Sequence, residues 1–251
     1  MARSVRDVAL GYSIINGADG LDGYSIFAKD AAPAIFRVPG RKIRVGWVSD
    51  TAFGPVDPEI TAAIIATAKL LEEAGCDVEE IRLPFMENTD WLTPYFNLIY
   101  SELVPYMEQF VKGRESELHV IGKATMDYPL LSATDYVKAE AKIEELKSHF
   151  AGYFQQYDVL LCPVNPMTAT GHSLSEYVVN GITVSAYHVM AATAPFNMTG
   201  LPALSVPVRL SSEQLPINIQ LVSRWFDEAT ILDLGQKIQE ASEAYGLHPD
   251  I

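Results

Sequence analysis

TAPFNMTGLPALSVPVRLSSEQLPINIQLVSRWFDEATIL, residues 193–232, reads as a turn, a strand, a loop, a second strand and a capped helix. Thr199-Gly200-Leu201-Pro202 stops whatever precedes it. Glycine reaches positive φ without steric cost, and proline fixes its own φ and restricts the residue before it. Residues 203–208, closed by Pro207, form an apolar run too short for a helix. In 217–222, Ile217, Ile219 and Leu221 alternate with Asn218 and Gln220, the two-residue period of a strand. Asp227 suits the N-cap of a helix with Ile231, Leu234, Ile238 and Ala241 on one face.

These strands need a sheet to join, and residues 42–83 supply its start. Residues 42–49 read as a buried strand. Asp57-Pro58 opens a helix whose apolar face is Ile60, Ala63, Ile64, Leu71 and Ala74, and Gly75 ends it before a strand over 77–83. Strand, helix and strand with short joints imply a right-handed crossover and a parallel pair. DVLLCP, 158–163, is a further short buried strand by composition.

Helices flank these strands. Residues 4–16 carry a Ser4/Asp7 capping pair, an apolar stripe of Val5, Val8, Ala9, Tyr12 and Ile15, and Gly17 at the far end. A helical excursion spans about 85–157. Its first part is rich in aromatics and interrupted by Pro94, Pro105, Gly113 and Pro129. Its last part is a long helix from Asp135 with Ile143, Leu146, Phe150, Tyr153 and Tyr157 near the inner face, started by Ser132. Turn formers fill 164–181, and a helical segment follows over 185–192. The expectation is one α/β domain over 1–251, a mixed sheet flanked by helices on both faces.

The 251 residues are 49% hydrophobic and 20% charged, enough for a sizeable core. A net charge of −14 argues against nucleic acid and anionic membranes as partners, since both attract basic surfaces. No apolar run is long enough to span a bilayer, and MARSVRDVAL carries charges where a secretory signal needs an apolar core. Cys76 and Cys162 form no C-x-x-C pattern, which suits a reducing compartment. The chain is expected to be cytoplasmic, and the Asn197-Met198-Thr199 sequon to be part of the turn.

Conventional catalytic constellations fail. The histidines at 119, 149, 172, 188 and 248 form neither H-E-x-x-H nor a zinc spacing, and no metal is expected. Gly171-His172-Ser173-Leu174-Ser175 approaches G-x-S-x-G but lacks the last glycine and follows a loop. Ser185 and His188 share a helical spacing without a third orienting group. With no phosphate-binding glycine loop, no nucleotide cofactor is implied, and none of any other kind is expected. Cys162 at a strand end faces either a cleft or the core.

PFNMTGLPALSVPV, then LP-x-x-x-QLV, then a helix opening DEATIL, resembles the C-terminal end of the amidase-signature enzymes. Met1-Ala2-Arg3-Ser4-Val5-Arg6-Asp7 is similar to the latter part of that family's Gly-Pro-Met-Ala-Arg-Ser/Thr-Val-x-Asp motif, KIRVG (42–46) to a strand of it, and DVLLCP to its DVLLTP strand. The resemblance implies amide hydrolysis, or transfer of the released ammonia, by a serine nucleophile with a second serine and a lysine relaying the proton. A lysine acts as a base only when neutral, and burial lowers its pKa. Those three residues precede the motif in the family, so no residue of this chain takes a catalytic role by resemblance, and the isolated chain is expected to be inactive. Cys162, Thr193 and Asn197 are the substrate-lining candidates. Gln214, Asn218 and Ser223 stand where the family usually has glycines. A small-molecule amide is the expected substrate of the intact parent, and a homodimer or a separate N-terminal catalytic half the expected partner. The alternatives are a non-catalytic binding or scaffold module and, ranked below it, a serine hydrolase using Ser173 or Ser185.

Overall fold

A computed structural model gives the structure of the chain and describes residues 1–23, 25, 40–49, 52–87, 89–171 and 175–247. Five strands form a mixed sheet: β1 (Arg44–Trp47), β2 (Asp77–Glu80), β3 (Val159–Pro163), β6 (Ala203–Leu210) and β7 (Pro216–Ser223), in the order β2-β1-β3-β7-β6. β1 runs parallel to both β2 and β3, while β7 is antiparallel to β3 and to β6. The parallel pair expected around the 58–73 helix is therefore present. Two further strands, β4 (Glu176–Val179) and β5 (Ile182–Ser185), make a separate hairpin.

Both faces of the sheet are covered. On one lie α1 (Val5–Ile15), α2 (Pro58–Glu73) and α7 (Glu228–Ala241), packed on Val45, Val159, Leu161, Val206, Ile217, Ile219 and Leu221. On the other lie α5 (Ala133–Tyr153) and α6 (Ala194–Thr199), whose Leu146, Phe150 and Phe196 meet Leu160, Cys162 and Val222. α3 (Leu92–Val111) and α4 (Val120–Met126) pack outside them, α3 against α5. All five residues of β3 are buried, as a strand covered on both faces requires.

Local signals behave as their chemistry dictates. The side chain of Ser4 accepts from the backbone of Asp7, that of Asp57 from Glu59, and that of Ser132 from Asp135. Gly200 ends α6 at φ 68, the left-handed C-terminal position that glycine fills best. In β1, Gly46 has a different reason to be glycine: a Cβ there would lie 2.6 Å from the Tyr153 hydroxyl, which donates to the Val159 carbonyl at 3.0 Å.

Several expectations change. Residues 176–185 are a hairpin rather than loop, and its turn is Asn180-Gly181 with φ of 48° and 77°. That dipeptide between apolar runs is the strongest short-range hairpin signal. The 185–192 segment is a 3-10 turn at Ala186–Met190. α3 runs through Pro105, which sits on an exposed turn where water can take the carbonyl its missing N–H leaves. Asp227 caps α7 without a backbone bond from its side chain, which instead accepts from the Thr230 hydroxyl at 2.6 Å. On α1, Ile15 is not on the buried stripe but 81% exposed. β6 continues past Pro207 through a register shift; as an edge strand it tolerates a residue with no N–H. The Gly171–Ser175 serine motif falls mostly at 172–174, outside the described residues.

Candidate functional site

In open α/β sheets, ligands bind in the crevice outside the carboxyl ends of parallel strands. Here β1 and β3 end side by side, and three connections meet beyond them. Asp57 N–H donates to the Pro166 carbonyl at 2.8 Å, joining the segment after β1 to that after β3. His188, in the 3-10 turn, lies 2.8 Å through Nε2 from the Pro55 carbonyl, which makes Nε2 the protonated nitrogen there. Gly54, at φ 79, permits that approach, since a Cβ there would already be 3.1 Å from the His188 ring.

The third tie is a side chain on the polar half of the 217–222 alternation. Gln220 on β7 is 4% exposed. Its Nε2 donates to the Ala192 carbonyl at 2.9 Å and to the Pro163 carbonyl at 3.2 Å, and lies 3.5 Å from Cys162 Sγ. One amide thus braces the end of β3 against the residue before Thr193. The signal for it was present: a continuous apolar run such as VLLCP implies a sheet covered on both faces, so the polar half of the neighbouring alternation must also turn inward.

The three lining candidates end at different depths. Cys162 is fully buried beneath this brace, and burial pushes its thiol up to about 12, against a smaller lowering by the Gln220 contact. Thr193 is half-buried at the start of α6, with its hydroxyl 3.4 Å from the Met190 carbonyl. Asn197 is exposed one turn later, its backbone N–H bonded to the Thr193 carbonyl. The thiol therefore lies beneath the Gln220 amide, while Thr193 and Asn197 stand along one side of α6. Phe196 between them points inward, against Phe53 and Phe150. Ser185 and His188 do not form a pair: the serine hydroxyl accepts from the Tyr187 backbone, and the imidazole is turned to Pro55.

Three open clefts among the described residues lie elsewhere: one of ≈ 240 Å³ between α2, β6 and α7, one of ≈ 320 Å³ between Lys42, Cys76 and Lys237, and one of ≈ 390 Å³ along β2 and α5. None contains Cys162, Thr193 or Asn197. Among the described residues, no group of three or more His, Cys, Asp and Glu is placed to hold a metal ion. None of their helices is long and apolar enough to cross a membrane.

A mixed sheet of this order, with helices on both faces, defines an α/β protein. The family model for amidases matches residues 1–232, and the chain belongs to that amidase-signature family. It is 32% identical over 268 residues to a glutamyl-tRNA(Gln) amidotransferase subunit of Rhodospirillum rubrum, an alignment covering 96% of this chain and 52% of that protein. The Brevibacillus brevis protein of the same name is 28% identical, with 100% and 55% covered. Among solved structures, a bacterial aryl acylamidase of the amidase-signature family matches with a TM-score of 0.83 at 21% identity, over 96% of this chain and 52% of that one. A 6-aminohexanoate cyclic dimer hydrolase matches at 0.81 and 23%, over 99% and 55%. These two likenesses show the shared fold. The chain spans about half the length of the curated relatives it matches.

Proposed function

We propose that this chain contributes the C-terminal half of an amidase-signature enzyme acting on a small-molecule amide, and that the lysine and two serines of catalysis come from a segment outside these 251 residues. In this reading the half completes the sheet and lines one side of the substrate crevice, with Thr193 and Asn197 toward substrate and Cys162 in the floor beneath. Alone, it turns over no amide.

The observation that carries the reading is α1. Val5 and Ala9 are buried against the body of the protein, yet Leu10, Ile14 and Ile15 are 57%, 74% and 81% exposed. A helix apolar on opposite sides belongs in an interior. Covering each such side chain is worth roughly 1.5–3 kcal/mol. The half-length match to relatives agrees. The name those relatives carry, that of an amidotransferase subunit, also fits a second form of the same reading, one half of a split amidotransferase.

The test is assembly. The 251-residue chain should bind an apolar dye and self-associate in light scattering. Mixing it with, or joining it to, a family segment carrying the lysine and serines should suppress both and give amide turnover. A stable monomer that binds no dye, or turnover by the isolated chain with Ser173→Ala and Ser185→Ala in place, would refute the assignment. Suppression of dye binding without turnover would instead favour a scaffold module.

A further inference from the structure

Gln239 on α7 is 4% exposed, and both ends of its amide are used. Its Oε1 accepts from the Val5 N–H at 2.9 Å, and its Nε2 donates to the Arg3 carbonyl at 3.4 Å. Val5 is the first residue of α1, so its N–H is one of the donors a helix start leaves without an internal partner. Ser4 satisfies the Asp7 N–H locally. The Val5 N–H is satisfied from 234 positions away. One turn earlier on α7, Gly235 has no room for a Cβ: it would collide with Leu204 and come within 3.6 Å of Val5. At the other end of α1, the Tyr12 phenol lies beside Glu228 at the start of α7, whose charge adds to burial in holding its proton. The two helices run antiparallel, and a slip of one turn breaks the Gln239 tie.

We propose that Gln239 is a positioning residue, whose amide locks Arg3–Val5 to α7 and so fixes where the catalytic half of the domain meets this one. The proposal rests on the reading above, because only then do residues 1–7 adjoin that half. A displacement of about 1 Å at such a junction is carried into the geometry of the reacting groups, where it can cost on the order of 100-fold in rate.

The first measurement uses the 251-residue chain and follows amide hydrogen exchange in wild type, Gln239→Leu and Gln239→Glu. Leu160 and Leu221 amides report whether the sheet is intact. Leucine removes both contacts; glutamate keeps an acceptor for the Val5 N–H. Val5 should exchange at least about tenfold faster in Gln239→Leu and return to within about threefold of wild type in Gln239→Glu. Unchanged Val5 exchange beside an intact sheet overturns the clamp. The second measurement uses the chain assembled with the lysine- and serine-bearing half, with p-nitroacetanilide and glutamine as probes. Gln239→Leu should lower kcat on the order of tenfold with KM within about twofold, and Gln239→Glu should recover part of it. Unaltered kcat, or a loss confined to KM, overturns the positioning role. A wild-type assembly that binds but turns over neither probe defeats the functional reading, and the Val5 amide then decides the clamp by itself.

Discussion

Replacing Gln220 by leucine tests whether one buried amide holds the candidate crevice together. The substitution keeps nearly the same volume, so cavity formation contributes little and the polar loss dominates. Two neutral hydrogen bonds disappear, to the Ala192 and Pro163 carbonyls, each worth about 0.5–1.5 kcal/mol net. Both acceptors belong to buried residues, so each also risks the fuller penalty of a desolvated, unpaired group, about 1–3 kcal/mol. Either carbonyl can relax toward the loop, which offsets part of that. Gln220→Leu should therefore lose about 2–4 kcal/mol in urea unfolding followed by circular dichroism, with the midpoint lowered and the slope unchanged. Protease cleavage at residues 164–171 and 186–193 should rise well before the sheet unfolds, because the amide ties those segments down. Gln220→Glu should be worse, since a carboxylate would face two carbonyls. A loss below about 0.5 kcal/mol for leucine would mean that both carbonyls find other donors, and the bracing argument would fail.

Other outcomes follow from the same packing. Gly46→Ala must displace the Tyr153 ring or β1, and should cost about 2–4 kcal/mol; adding Tyr153→Phe should recover part of it, which denaturant titration of the double variant reads directly. With its thiol near pKa 12, Cys162 is protonated at pH 8 in all but about 1 molecule in 10⁴, so it should resist a disulfide reagent until denaturant is added; native-state labelling would show the strand open to solvent. The Tyr12 phenol is raised to about 12 by burial and then by Glu228, above its ordinary 10. The folded state therefore holds that proton more tightly. The stabilisation is complete below about pH 10 and is lost as pH rises to 12, so thermal stability should fall in that window and fall less in Tyr12→Phe.

Much of this fold was legible because its signals are local. Ser4, Asp57 and Ser132 sit at helix starts, where a short polar side chain reaches a free N–H, and Gly200 sits where only a residue tolerant of positive φ ends a helix cleanly. The β1-α2-β2 unit was equally plain, as its periodicity changes from two to 3.6 and back. The Asn180-Gly181 hairpin was legible too, and was obscured by the turn formers around it. By contrast, no local signal marked Gln220 or Gln239 as buried, since a residue's period says only which face it occupies. Whether that face is wet depends on a second layer, built by α5 and α6 for Gln220 and by α1 for Gln239.

The candidate site depends on that second layer as well. Of the three lining candidates, resemblance picked out Cys162 by its strand end and Thr193 and Asn197 by their turn. The structure puts the thiol under Gln220, Thr193 just before and Asn197 on a six-residue helix whose buried side holds Ala194, Pro195, Phe196 and Thr199. A helix that short has little stability of its own. Its orientation is imposed from outside, by the Gln220 bond to Ala192 at its start and by Trp225, whose indole N–H donates to the Thr199 carbonyl at 2.9 Å, at its end. Thr193 and Asn197 are thus aimed by residues on and just beyond β7, within the same 193–232 stretch. What that stretch encodes is a wall braced by its own Gln220 and Trp225. The exposed Leu10, Ile14 and Ile15 leave an apolar side of α1 open to solvent, the place where the proposed catalytic half would be laid against it.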